Sequence, residues 1–133
     1  MERTEKSLIY LDTHIVCWLY EGKTEKLTQK ALDVIETGRL LISPFIMLEL
    51  QYLYEINRIT EPSDVVITEL NYDIGLELSD ISLKHIIEKA CSLTWTRDPF
   101  DRLITAEVLV SEKAFLVTKD ALIRKNCKQT VWE

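Results

Sequence analysis

Short apolar runs of three or four residues alternate along the chain with longer stretches in which apolar side chains recur every three to four positions. Residues 8–11 read as a short buried strand, and residues 12–20 as a helix whose apolar content is Ile15, Val16, Trp18 and Leu19, broken by Gly22. An amphipathic helix over residues 27–37 stops at Gly38 and gives way to a strand over residues 39–42. Ser43 and Pro44 have the character of an N-cap and first helical residue, opening a helix to Asn57. Pro62 opens another helix to Tyr72, and Gly75 precedes a strand over residues 76–78. A helix over residues 82–92, a loop through residues 95–97 and a helix over residues 99–111 follow. The chain closes with a strand at 115–117, a short helix from Ala121 and a strand at 130–132. Helices that separate short apolar strands predict an α/β fold on a parallel sheet.

Four carboxylates fall where an apolar run yields to a helix. Asp12 follows Leu-Ile-Tyr-Leu, Glu49 comes soon after Leu-Leu-Ile-Ser-Pro, Asp101 lies within Asp-Pro-Phe-Asp-Arg-Leu-Ile-Thr-Ala, and Asp120 follows Phe-Leu-Val-Thr-Lys. Ligands of an open parallel sheet bind beyond the carboxyl ends of its strands, so acids distant in sequence converge on one crevice. Crowded carboxylates raise each other's pKa unless a cation neutralises them, and oxygen-only ligands suit a hard ion such as Mg2+ or Mn2+. The pattern predicts a metal-dependent active site.

Local capping competes with that reading. Asp12, Asp98 and Asp120 all suit N-cap positions, with Asp98-Pro99 as cap and first helical residue and Asp101 placed to complete a capping box. Glu49 is different. Its helix carries Phe45, Ile46, Met47, Leu48, Leu50, Tyr52, Leu53 and Ile56, which predicts a largely buried element, and Glu49 shares a stripe with Ile46, Leu50 and Leu53. An ionised carboxylate there needs a metal or a basic partner. Thr13 and Thr118, beside the acids, suit a hydrogen bond to a carboxylate or to metal-bound water, although capping and strand propensity explain threonine equally well. His14 is a weaker candidate for ligand or base, His85 has no partner pattern, and Trp18, Tyr52 and Tyr54 read as core or interface aromatics rather than base-stacking platforms.

Composition narrows the classes. At 133 residues and 47% hydrophobic, residues 1–133 suit one domain with a sizeable core. Cys17, Cys91 and Cys127 are an odd number without a CxxC pair, which points away from a disulfide framework and towards a cytoplasmic setting. The apolar run after the charged N-terminus is interrupted by Asp12 and His14, so neither a secretory leader nor a membrane span is expected. With only Gly22, Gly38 and Gly75, no glycine-rich nucleotide loop is present and no nucleotide cofactor is expected. The net charge of −6 runs against a nucleic-acid partner, but residues 113–128 hold five basic side chains against one acid, Asp120. That stretch reads either as a solvated helix face or as a phosphate-steering strip.

Leu-Asp12-Thr-His14, Ser-Pro-Phe-Ile-Met-Leu-Glu49-Leu, Arg-Asp98-Pro-Phe-Asp101-Arg-Leu-Ile-Thr-Ala and Leu-Val-Thr-Lys-Asp120 together resemble the PIN domain, in particular the small single-domain VapC-type toxins of toxin-antitoxin pairs. The match spans residues 8–132 and keeps all four acids in order. The resemblance implies a three-layer α/β/α sandwich on a parallel sheet of order 3-2-1-4-5, with endoribonuclease activity dependent on one or two Mg2+ or Mn2+ ions. It implies RNA as substrate, a cognate antitoxin as partner, and homodimers. Asp12, Glu49, Asp101 and Asp120 match the acidic quartet, Asp98 an extra acid, and Thr118 a hydroxyl before the fourth acid. Glu107 stands where the family often has a small residue. Proximity in sequence adds Arg102, Lys119 and Arg124 as candidates to hold the scissile strand's phosphates. Other classes stay in view: a catalytically silent interaction module on the same fold, a structure-specific DNA nuclease, and a phosphoacceptor receiver, which would use two adjacent acids after its first strand where this chain has Asp12 alone.

Overall fold

The structure, a computed structural model, describes residues 6–111 and 113–133. Strand β1 (Leu8–Leu11) leads to α1 (Thr13–Tyr20), a 3-10 turn (Thr24–Lys26), α2 (Gln29–Thr37) and β2 (Arg39–Ile42). Helices α3 (Pro44–Glu55) and α4 (Ser63–Ile74) precede β3 (Glu77–Leu78), and α5 (Leu83–Ala90) and α6 (Pro99–Val110) precede β4 (Ala114–Val117). Helix α7 (Ala121–Asn126) and β5 (Thr130–Val131) complete the order. All four strand pairings are parallel, and the sheet runs β3-β2-β1-β4-β5, the predicted order. Right-handed crossovers put the connections running from β1 out to β3 on one face and those running from β3 to β5 on the other, which makes the α/β/α layering.

Central strand β1 is buried along Ile9, Tyr10 and Leu11, as expected of a strand covered on both faces. These side chains join Leu41, Ile42, Leu116 and Val117 in the main core, while Ile86, Ala90, Leu93 and Ala106 form a smaller cluster between α5 and α6. Gly38 ends α2 where the chain touches β1: a Cβ there would stand 2.2 Å from Ile9 Cγ1 and 2.9 Å from the Val34 carbonyl oxygen. Gly38→Ala is therefore expected to destabilise the fold by about 1–3 kcal/mol through overpacking. An unaltered urea midpoint would show instead that β1 shifts without cost.

Three sequence expectations are corrected. Helix α2 begins at Gln29 with the Thr28 hydroxyl as its cap, because the residues before it form a separate 3-10 turn. Helix α3 stops at Glu55, two residues before Asn57, which adopts a left-handed φ of 61°. It is also not largely buried. Only Ile46 and Leu50 are enclosed, while Leu48 and Tyr52 are 59% and 56% exposed, because α3 packs one side on α4 and α6 and leaves the other open.

Glu107 on α6 is fully buried, receiving hydrogen bonds from Ser43 Oγ at 2.8 Å and from Ser79 Oγ. These contacts tie α6 to the ends of β2 and β3. Among the described residues no helix is long and apolar enough to cross a membrane.

Candidate active site

Two of the strand-to-helix corners carry acids, β1 to α1 and β4 to α7. Asp12, directly after β1, caps α1: Oδ1 accepts from the Thr13 amide at 2.8 Å and Oδ2 from Thr118 Oγ1 at 2.6 Å. Thr118 follows the neighbouring strand β4, and parallel pairing of Leu11 with Val117 brings the two corners together. The same Thr118 oxygen accepts from the Asp120 amide at 3.0 Å, and Asp120 in turn caps α7 through the Ile123 amide at 2.9 Å. Capping and convergence are one arrangement here, since a residue that caps a helix starting at a strand end also stands over the crevice.

Glu49 reaches the site from the second turn of α3. Its partner is Thr13, whose hydroxyl donates to Oε1, and among the described residues it forms no ion pair with a basic side chain. Thr13 and Thr118 are enclosed, at 4% and 0% exposure, so both hydroxyls are held in place. The expected capping box at α6 is half made. Asp98 Oδ1 accepts from the Asp101 amide at 3.1 Å, but the Asp98 amide donates to Thr96 Oγ1 at 3.1 Å instead of to Asp101. The Asp101 carboxylate is thereby left out of the cap.

The charges of these groups reach one another. Burial first, and then the carboxylates of Asp98, Asp120, Asp12 and Glu49, push the Asp101 carboxyl up to about 7. Burial also raises Asp12, with Asp120 adding to it, while Thr118, the Thr13 amide and His14 pull it down. Glu49 is raised by burial and by Asp12 and Asp98 against the opposing pull of Thr13 and His14. Among the described residues no three metal-binding side chains stand close enough to hold one ion together, so the acids are electrostatic neighbours without being a ready-made cage. Their chemistry nonetheless fits a hard divalent cation bound partly through water: every acidic donor is oxygen, two hydroxyls support them, and crowding raises their affinity for positive charge.

Of the basic candidates, Lys119 is exposed beside Asp120 and lies 5.9 Å from the Trp18 ring centroid. Arg102 is half-buried next to Asp101, and Arg124 leans towards Glu133 at 3.8 Å. Two further contributors were only faintly marked in the sequence. His14 lies close enough to act on both Asp12 and Glu49, and Glu107 anchors Ser43, the N-cap of the helix that carries Glu49. The first was visible only as a lone imidazole, and the second as a departure from a small residue.

A doubly wound parallel sheet with acids gathered at the carboxyl ends of β1 and β4 and on the helices beside them defines an α/β protein with an acidic cluster at that end of the sheet. Residues 9–129 match the PIN domain family, and the chain belongs to it. Its fold is similar to that of a chain in the crystal structure of VapBC2 from Rickettsia felis bound to a DNA fragment from their promoter. That likeness has a TM-score of 0.60 at 20% identity and covers 95% of this chain and 99% of the other. No curated protein sequence matches the chain.

Proposed function

We propose that the protein is a Mg2+- or Mn2+-dependent endoribonuclease, the toxin of a toxin-antitoxin pair, which hydrolyses RNA phosphodiester bonds at Asp12, Glu49, Asp101 and Asp120. The observation that supports this reading best is the Asp101 carboxyl, lifted to about 7 by burial and by acids from four separate parts of the chain. An acid cluster of that kind favours a cation over a solvated, unliganded state. Asp12 and Asp101 are assigned as the principal holders of the ion, with Glu49 and Asp120 completing the shell or orienting the nucleophile. A bound divalent ion would neutralise charge developing on the phosphate and lower the pKa of an attacking water.

The chain's own residues supply the preorganisation. Thr118 and the Thr13 amide fix both oxygens of Asp12, and the Thr13 hydroxyl fixes Glu49 against the same helix start. Lys119 and Arg102 are assigned to the phosphates of the scissile strand. Arg124 is the least available of the three, because Glu133 already engages it. An antitoxin partner is supported by the exposed apolar side chains of α3, including Leu48 and Tyr52, and by the similar fold within the VapBC2 complex.

The test is incubation of the purified protein with total cellular RNA in Mg2+, in Mn2+ and in EDTA, followed by mapping of the new ends. Cleavage at discrete sites that EDTA abolishes is expected. Absence of cleavage in every metal would reduce the protein to a non-catalytic module, and equal cleavage of single-stranded DNA would overturn the RNA assignment.

A further inference from the structure

Helix α1 has two flanks. His14 and Trp18, four residues apart, share one of them, with ring centroids 6.0 Å apart. The Trp18 ring is met by three distant parts of the chain: Lys26 Nζ at 5.6 Å from its centroid, Lys119 Nζ at 5.9 Å, and the Trp132 ring at 6.4 Å. Cys17 and Tyr20, on the other flank, line a pocket of mixed polarity with Glu21, Leu50, Arg58 and Val66.

The first flank combines features that a hydrophobic partner does not need. Two ammonium groups each approach one indole, at 5.6 and 5.9 Å from its centroid, and neither forms an ion pair among the described residues. Attraction to the ring is modest, so each ammonium keeps its charge available to an anion. The flank also adjoins the acidic crevice at both ends: His14 acts on Asp12 and Glu49, and Lys119 lies between Thr118 and Asp120. A partly buried aromatic ring, an exposed imidazole and paired cations are the components with which proteins hold single-stranded nucleic acid, the bases stacking and the backbone tracking positive charge.

We propose that His14, Trp18, Lys26 and Lys119 form a strand-binding ledge that holds the RNA nucleotide flanking the scissile phosphate, its base against the paired His14 and Trp18 rings and its phosphates neutralised by the two lysines. The ledge rests on the nuclease reading for its substrate but is separable from it in measurement. It also accounts for how a chain of net charge −6 draws a polyanion to an acidic mouth, because positive charge is concentrated at the point of entry.

The experiment is fluorescence anisotropy of a labelled oligouridylate with the full chain in EDTA, so that no cleavage occurs, across a salt series. Trp18→Leu is expected to weaken binding by about 5- to 20-fold, and Trp18→Phe to restore most of the loss, as stacking requires. Lys26→Gln and Lys119→Gln are each expected to weaken binding a few-fold and to reduce the salt slope by about 0.7. Both lysines are exposed, so these two variants decide the matter even if Trp18→Leu does not fold. Unchanged RNA affinity in the lysine variants, with the parent still cutting RNA in Mg2+, would overturn the ledge, leave the ring to a protein partner and leave the nuclease reading intact. A parent that neither binds nor cuts RNA would overturn both. Loss of binding in the variants of a parent that binds but never cuts would uphold the ledge and remove the nuclease reading.

Discussion

Asp101→Asn is expected to lose RNA cleavage by about 100-fold or more while making the metal-free protein more stable at neutral pH. Both effects have one cause. The carboxyl stands at about 7 instead of 3.8, mainly through burial and then through the charges of Asp98, Asp120, Asp12 and Glu49. Between those two values the folded chain keeps a proton that the unfolded chain releases, so this contribution to stability is full below 3.8 and is lost as pH rises through about 7. Asparagine carries no charge to crowd the site, so the variant should lack that decline. The full shift corresponds to about 4 kcal/mol, but solvent screens a half-exposed group, and a gain of about 1–2 kcal/mol above pH 7 is expected. Thermal melts of parent and variant at pH 5, 7 and 8.5 would show a gap that widens with pH. A divalent ion should close that gap by stabilising the parent preferentially. Asp12→Asn should lose activity similarly and keep the fold, since the amide oxygen still caps α1. Parent-like cleavage by either variant would remove its carboxylate from the mechanism.

Glu107→Ala is expected to cost about 3 kcal/mol or more, the largest loss of stability foreseen for a single residue here. The side chain has no exposed surface, so its removal leaves a void, and the hydroxyls of Ser43 and Ser79 lose their acceptor in a closed environment. Glu107→Gln keeps the volume and one acceptor oxygen and should recover most of the loss. The substitutions also bear on the site, because Ser43 caps the helix that presents Glu49. Urea unfolding of the three proteins measures this directly. A Glu107→Ala midpoint equal to the parent's would mean that the serines find other partners.

Much of the architecture was legible in the chain. Short apolar runs at β1, β2 and β4 are continuous because central parallel strands are covered on both faces, and Ser43-Pro44, Asp98-Pro99 and Gly75 punctuate the helices by local backbone chemistry. The four quartet acids could be named for a related reason: three of them lie at or next to the helix starts that follow strands or turns, and Glu49 is the polar interruption of an apolar helix. Element ends were less legible. The 3-10 turn at Thr24–Lys26 and the early stop of α3 depend on single hydrogen bonds and one left-handed residue that no periodicity announces.

The order of apolar and polar residues by itself determined the parallel α/β class and the candidate acids, because strand burial and helix capping are local demands that each segment must meet alone. Tertiary structure alone decided which partners those acids have. Thr13 rather than a basic residue meets Glu49, one threonine serves both Asp12 and Asp120, half a capping box leaves the Asp101 carboxylate outside the cap, and Lys26 and Lys119 both approach Trp18. Each of these contacts joins positions from separate elements or turns on a choice between two neighbouring acceptors. Such outcomes are fixed by how the helices pack on the sheet, which is a property of the whole chain.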